Sequence, residues 1–212
     1  MTVVERLRNA SATFLMNALF AMPYRLKKNR PWHAARTFVS KLRVHDQLTG
    51  LINQREFKVK AARVLRTQKT GAVAYLDVDR MMYLNDALGH RAGDSFLLTV
   101  ASIVRDCAGD RVVSRFGGDE FVVLADDAAQ GTAIVECVRA SVAARFKLER
   151  QRVLAKRQEL AGSPVLTISA GLAPIRDGQT LQSAIQQADS ALFAAKRSGR
   201  DCIRWASEAL AA

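Results

Sequence analysis

The chain has 212 residues, 49% of them hydrophobic, and a formal charge of +12. That length holds one domain of about 150–170 residues plus an extension, and that apolar content excludes wholesale disorder. The excess charge is confined to residues 1–45 (nine Lys/Arg against Glu5) and 145–162 (six against Glu149 and Glu159), and the neutral remainder argues against a nucleic-acid-binding body.

Residues 2–22 set Val3, Val4, Leu7, Phe14, Leu15, Ala18, Leu19 and Met22 along one helical face. Pro23 stops the pattern, and Arg25, Lys27, Lys28 and Arg30 follow. An apolar helix ahead of a basic cluster fits a peripheral anchor on the inner membrane surface. It fits equally a helix packed on its own domain, on a twin subunit or on a protein partner. The apolar run of about 11 residues is short of the roughly 20 that a span needs. A secretory signal would need a clear A-x-A site, which this stretch lacks. Beyond Pro31-Trp32, a stripe of Ala35, Phe38, Val39 and Leu42 leads to Asp46.

Asn53 is placed to cap a helix with Phe57, Ala61, Val64 and Leu65 inward. Gly71–Val78 is a nearly continuous apolar run, as in a strand buried on both faces, and it ends in Asp77-Val78-Asp79. Carboxylates there need partners, because unpaired burial costs several kcal/mol, and a metal or ligand would supply them. Asn85-Asp86 and Gly89-His90-Arg91-Ala92-Gly93-Asp94 follow, then a helix with Phe96, Leu97, Val100, Ile103 and Val104 inward. Val112–Ser114 and Phe121–Leu124 read as a hairpin turning tightly at Gly117-Gly118. A long helix starts near Gly131 and continues into the basic stretch 145–162. Val165–Leu172 reads as a strand, Leu181–Ala195 as an amphipathic helix stopped at Gly199, and Ile203–Trp205 as a short strand. The order gives an α+β fold with helices over a mainly antiparallel sheet, close to the split βαβ plan. Cys107, Cys137 and Cys202 are odd in number and in no C-x-x-C pair, so they read as reduced thiols of a cytosolic protein with no disulfide framework.

This order brings Asp77, at the end of the first long strand, and Asp119, on the hairpin, to one edge of the sheet. Two carboxylates bind Mg²⁺ incompletely and leave positions for a nucleotide's phosphates. Paired glycines beside them let a bulky group approach the backbone. Lys196 and Arg200, four apart at a helix end, suit terminal phosphates, or simply a solvated helix end favoured by the dipole.

Asp46-x-Leu-Thr-Gly-Leu-x-Asn53, Asp77-x-Asp79, Asn85-Asp86, Gly89-His90, Gly93-Asp94, Arg115-x-Gly-Gly-Asp-Glu-Phe121, Ser169-x-Gly171, Ala188-Asp189-x-Ala191-Leu192 and Ala195-Lys196-x-x-Gly-Arg200 stand in the order and spacing of one family. Over residues 46–205 the chain resembles the GGDEF domains of diguanylate cyclases, which join two GTP molecules into cyclic di-GMP and release pyrophosphate. The resemblance implies a palm-like fold, related to the ferredoxin-like plan, with a central five-stranded sheet. It divides the chain into an N-terminal extension, 1–45, and a catalytic domain, 46–212, carrying a basic helical insertion at 145–162. It implies that Asp77, the Val78 carbonyl and Asp119 hold Mg²⁺ or Mn²⁺, that Asp119 is the base for the 3′-hydroxyl, and that Glu120 assists the metal. Asn85 and Asp94 match the guanine-reading pair, His90 a substrate-lining position, Gly117 and Gly118 the substrate-facing turn, and Lys196 and Arg200 the β/γ-phosphate contacts. Each subunit of such an enzyme holds one GTP, so a homodimer is implied.

Three departures matter. Met81 and Met82 stand where the family has Phe and Lys. That Lys is thought to stabilise charge on the phosphate, and losing one such contact costs about 2.7–4 kcal/mol. A slow cyclase is expected; the alternative is a catalytically weak or inactive domain that binds GTP or a protein partner. The product-inhibition motif Arg-x-x-Asp is replaced by Ala108 and Arg111, and the 145–162 stretch exceeds what the family needs. Asp201 in place of a usual Asn is a smaller change.

Overall fold

The computed structural model describes residues 44–154 and 165–206. Apart from Val44 and His45, the basic extension expected over 1–45 lies outside these residues, as does the part of the basic insertion from 155 onward. The elements in chain order are β1 (Ile52–Asn53), α1 (Gln54–Gln68), β2 (Gly71–Val78), α2 (Met81–Leu88), α3 (His90–Ala108), β3 (Val112–Arg115), β4 (Glu120–Ala125), α4 (Ala128–Leu154), β5 (Ile168–Ile175), α5 (Leu181–Arg197) and β6 (Ile203–Trp205).

The sheet runs β1-β3-β4-β2-β5-β6. Its inner pairs are antiparallel, while β1–β3 and β5–β6 are parallel. The strand order thus explains the composition of β2. It lies at the centre with helices over both faces, so all eight of its residues are buried and an apolar run replaces alternation. Alternate β2 residues Ala72, Ala74, Leu76 and Val78 join Phe96, Val100 and Val104 of α3 and Val135, Val138 and Val142 of α4. Val73 and Tyr75 face the other way, toward Phe57 and Ala61 of α1 and Ala184, Ile185, Ala188 and Leu192 of α5. Period-two alternation therefore aims Asp77 at the α1/α5 face.

Two expected caps are present. Asn53 Oδ1 accepts from the Glu56 amide at 3.0 Å, and α5 ends at Ser198 with Gly199 (φ +115°) immediately after.

Four features differ from the reading of the sequence. The sheet has six strands where five were expected, because the two-residue β1 adds to β3 and is too short to carry a periodic signal. An extra helix, α2, occupies 81–88, and α3 begins at His90, so Gly93 and Asp94 lie in its first turns. The hairpin connection is four residues, Phe116–Asp119, and neither Gly117 nor Gly118 has the positive φ of a tight two-residue turn. Cys107 and Cys137 form a disulfide (Cα–Cα 5.9 Å), leaving Cys202 free. Thirty residues apart in sequence, the two meet because α3 and α4 pack side by side on one sheet face, which spacing alone cannot report. Among the described residues no helix is long and apolar enough to cross a membrane.

Candidate active site

Asp77 is the penultimate residue of β2, opposite Glu120 on β4 and Ser169 on β5. The Val78 amide donates to the Asp119 carbonyl at 3.1 Å. Asp77, Asp119 and Glu120 are thus brought to one end of the sheet, as expected from the motifs. Lys196, in the last turn of α5, joins them: its Nζ is 2.7 Å from Asp77 Oδ2. Burial pushes the Asp77 carboxyl up to about 7; the hydrogen bond from Lys196 opposes the rise, and the charges of Asp119 and Asp79 add to it. A carboxylate crowded by other carboxylates in a poorly solvated site is one that a further cation would favour in its charged form.

Glu120 is held in place by a residue the motifs do not include. Tyr75, two residues before Asp77 and on the same face, donates its hydroxyl to Glu120 Oε2 at 3.1 Å. Burial and the charge of Glu120 raise the Tyr75 hydroxyl above its ordinary value, so it stays protonated and remains a donor. Gly117 makes room for this arrangement, since a Cβ there would lie 2.6 Å from Glu120 Oε2. Tyr75 also packs edge-on against Phe116, with ring centroids 5.6 Å apart. A tyrosine interrupting the aliphatic run of β2 was the available sequence signal for this role.

Asp79 belongs to a different set of contacts. It is buried, and its carboxylate accepts from Ser169 Oγ (2.8 and 2.9 Å), Thr167 Oγ1 (2.7 Å) and the Asp201 amide (3.2 Å). Protein donors therefore satisfy it, correcting the expectation that a metal or ligand accounts for every carboxylate at this strand end. The Asp201 amide among them ties the turn after α5 to the sheet. In that turn Arg200 and Asp201 both adopt left-handed backbone, at φ +69° and +46°. For residues with a Cβ this costs roughly 1–2 kcal/mol each. Arg200 Nε sits 3.9 Å from Asp79 Oδ1, with the side chain otherwise half exposed.

The guanine-reading candidates come from the α2–α3 corner. Asn85 packs directly on α3: a Cβ on Gly93 would fall 1.9 Å from Asn85 Oδ1, so only glycine admits this approach. Asn85 is thereby held next to the position of Asp94, which is exposed, as is His90 at the head of α3. Met81 is buried under this corner and takes up the apolar role of the usual Phe. Met82, in the Lys position, is 77% exposed, so packing does not explain it.

Among the described residues no group of three or more His, Cys, Asp or Glu side chains could hold a metal. The donors present are two hard carboxylates, Asp77 and Asp119, beside Glu120. Two carboxylate oxygen donors are the kind Mg²⁺ takes, and phosphate oxygens and water would have to supply the rest of its coordination.

Residues 43–202 match the diguanylate cyclase GGDEF domain family. The chain belongs to the GGDEF family. Curated relatives of this GGDEF domain include diguanylate cyclase DgcM of Escherichia coli K12, 32% identical over 167 residues and covering 75% of this chain and 37% of its own length. Diguanylate cyclase DgcP of Pseudomonas aeruginosa is 34% identical over 167 residues, covering 74% of this chain and 23% of its own. The GGDEF domain thus matches well under half of either relative. Among solved structures, the coiled coil and GGDEF domain of DgcB from Caulobacter crescentus, in complex with c-di-GMP, superposes with a TM-score of 0.69 at 28% identity, covering 82% of this chain and 91% of that one.

Proposed function

We propose that this GGDEF domain is a diguanylate cyclase that condenses two GTP molecules into cyclic di-GMP with release of pyrophosphate, each GTP held by one subunit of a homodimer. The observation that carries the reading is the convergence of Asp77, Asp119, Glu120 and Lys196 at one end of the sheet, with Asp77 and Lys196 in direct contact. Asp77, Asp119 and the Val78 carbonyl would hold Mg²⁺, which supplies charge neutralisation of the phosphates and lowers the pKa of an attacking hydroxyl.

The side chains divide the remaining work. Lys196, at the same sheet end as Asp77, would reach the terminal phosphates together with Arg200. Asn85 and Asp94 read the guanine edge, where a carboxylate accepts from N1–H and the exocyclic amine and so favours GTP over ATP. Asp119 takes the proton of the 3′-hydroxyl, and the open space around Gly118 admits the phosphate chain.

The exposed Met82 favours a second reading, a domain that binds GTP but turns it over weakly. Incubating purified protein with GTP and Mg²⁺ separates the two. Formation of cyclic di-GMP that Asp119→Asn abolishes supports the cyclase; GTP binding without product supports the second reading.

A further inference from the structure

We infer that Arg139, on α4 and outside every motif above, is a positioning residue that aims Arg200 at the phosphates by fixing the turn Ser198–Cys202. The inference rests on the cyclase reading of Arg200 as a phosphate contact. Arg139 Nη2 donates to the Asp201 carbonyl at 2.5 Å and to Asp201 Oδ1 at 3.0 Å. Its Nη1 is anchored one turn back by Glu136 Oε2 at 3.0 Å. From the opposite side the Asp201 amide donates to buried Asp79 at 3.2 Å.

Asp201 is therefore gripped on its amide, its carbonyl and its carboxylate, between the sheet and α4. Two successive left-handed residues without glycine persist only where surroundings over-determine them. Arg139 and Asp79 are those surroundings. Arg200 is the neighbour whose backbone direction they set: its amide donates to Ala195 O at 3.2 Å and its guanidinium is drawn toward Asp79. The carboxylate of Asp201, where an amide is usual, turns the outer contact into a charge-assisted one. Arg is suited to it, because one arm of its planar fork, Nη2, meets both the carbonyl and the carboxylate of Asp201 while the other, Nη1, holds Glu136. The clamp spans 62 residues of sequence, so neither partner alone suggests it.

The test is GTP binding by calorimetry with Mg²⁺, and turnover where it occurs, for the wild type, R139A, R139K, R200A and R139A/R200A. R139A is expected to weaken GTP about tenfold and raise KM accordingly, with kcat within about threefold, as follows from losing a charge-assisted hydrogen bond. R139K should recover part of the loss. R139A/R200A should be no weaker than R200A, since both changes act through one contact. A GTP affinity in R139A within twofold of wild type overturns the inference, as does full additivity in the double variant. A merely structural arginine would lower Tm and leave GTP affinity at 25 °C unmoved. Should R139A not fold, D201G, which keeps the backbone conformation and removes the carboxylate, must weaken GTP; unchanged affinity overturns the inference. A wild type that binds GTP without turnover sinks the cyclase reading and leaves this one to the affinities. A wild type that binds no GTP sinks both.

Discussion

Asp77 and Met82 sit five residues apart and carry opposite problems. Asp77 is a carboxylate in a place that disfavours charge. Its folded value is raised to about 7 against an ordinary 3.8, so between these values the folded state holds a proton that the unfolded chain has released. Metal-free protein should therefore lose stability as pH rises from about 4 to 7 and level off above, the reverse of an ordinary salt-bridged aspartate. Thermal melts in EDTA across that range check this, and Asp77→Asn should flatten the slope. Met82 is a thioether where the family has a lysine, and it is exposed, so a lysine fits without repacking. Met82→Lys should raise kcat by about 10²-fold, the scale of one electrostatic contact to a developing charge. An unchanged kcat would mean that residue 82 does not face the reacting phosphate.

At the scale of elements, the α3–α4 pair and the turn after α3 behave differently from what the family pattern alone implies. The Cys107–Cys137 disulfide closes a loop of 30 residues between two helices that share one core. In the loop-entropy account such a link contributes about 3.6 kcal/mol. Oxidised protein is thus expected to melt several degrees above the dithiothreitol-reduced form, and Cys137→Ser should abolish the difference. At the start of β3, Arg111 is paired with Asp126 at 2.5 Å and bonded to Gln130 Oε1 at 3.0 Å, while Ala108 is buried. Neither position offers the charges of the inhibitory motif, and Arg111 is already engaged. Product inhibition through this site should be absent: initial rates with and without added cyclic di-GMP are expected to coincide, and tight binding there would contradict it.

For the whole molecule, the proposed chemistry needs two sites facing each other, since each described domain presents one set of carboxylates with Lys196 and Arg200 beside it. Turnover per subunit should therefore fall when the enzyme is diluted below its dimerisation constant, and a concentration-independent specific activity would count against a two-subunit reaction. The fold was largely legible because its core strand is one uninterrupted apolar run and its helices have clear inner faces; Asn53 and Gly199 mark two ends by simple cap chemistry. The family motifs pointed to Asp77, Asp119 and Lys196 for the same local reasons. What stayed hidden were contacts across long separations: Tyr75 with Glu120, 45 residues apart; Arg139 with Asp201; Cys107 with Cys137. The burial of Met81 beside the exposure of Met82 was legible only through the family's Phe and Lys at those positions, because both are the same residue type on one helix.

Amino-acid order alone determined most of the strands and helices, all but β1 and α2, along with which carboxylates end a buried strand and which family pattern they complete, since these follow from periodicity and neighbouring residue types. Only the packed chain decided that Asp79 is a structural anchor while Asp77 faces Lys196. The reason is geometric: β2 ends at Val78, so Asp77 still sits in the ladder while Asp79 lies just beyond it, and the partners each meets come from β5, α5 and the turn after α5, about 90 to 120 residues downstream.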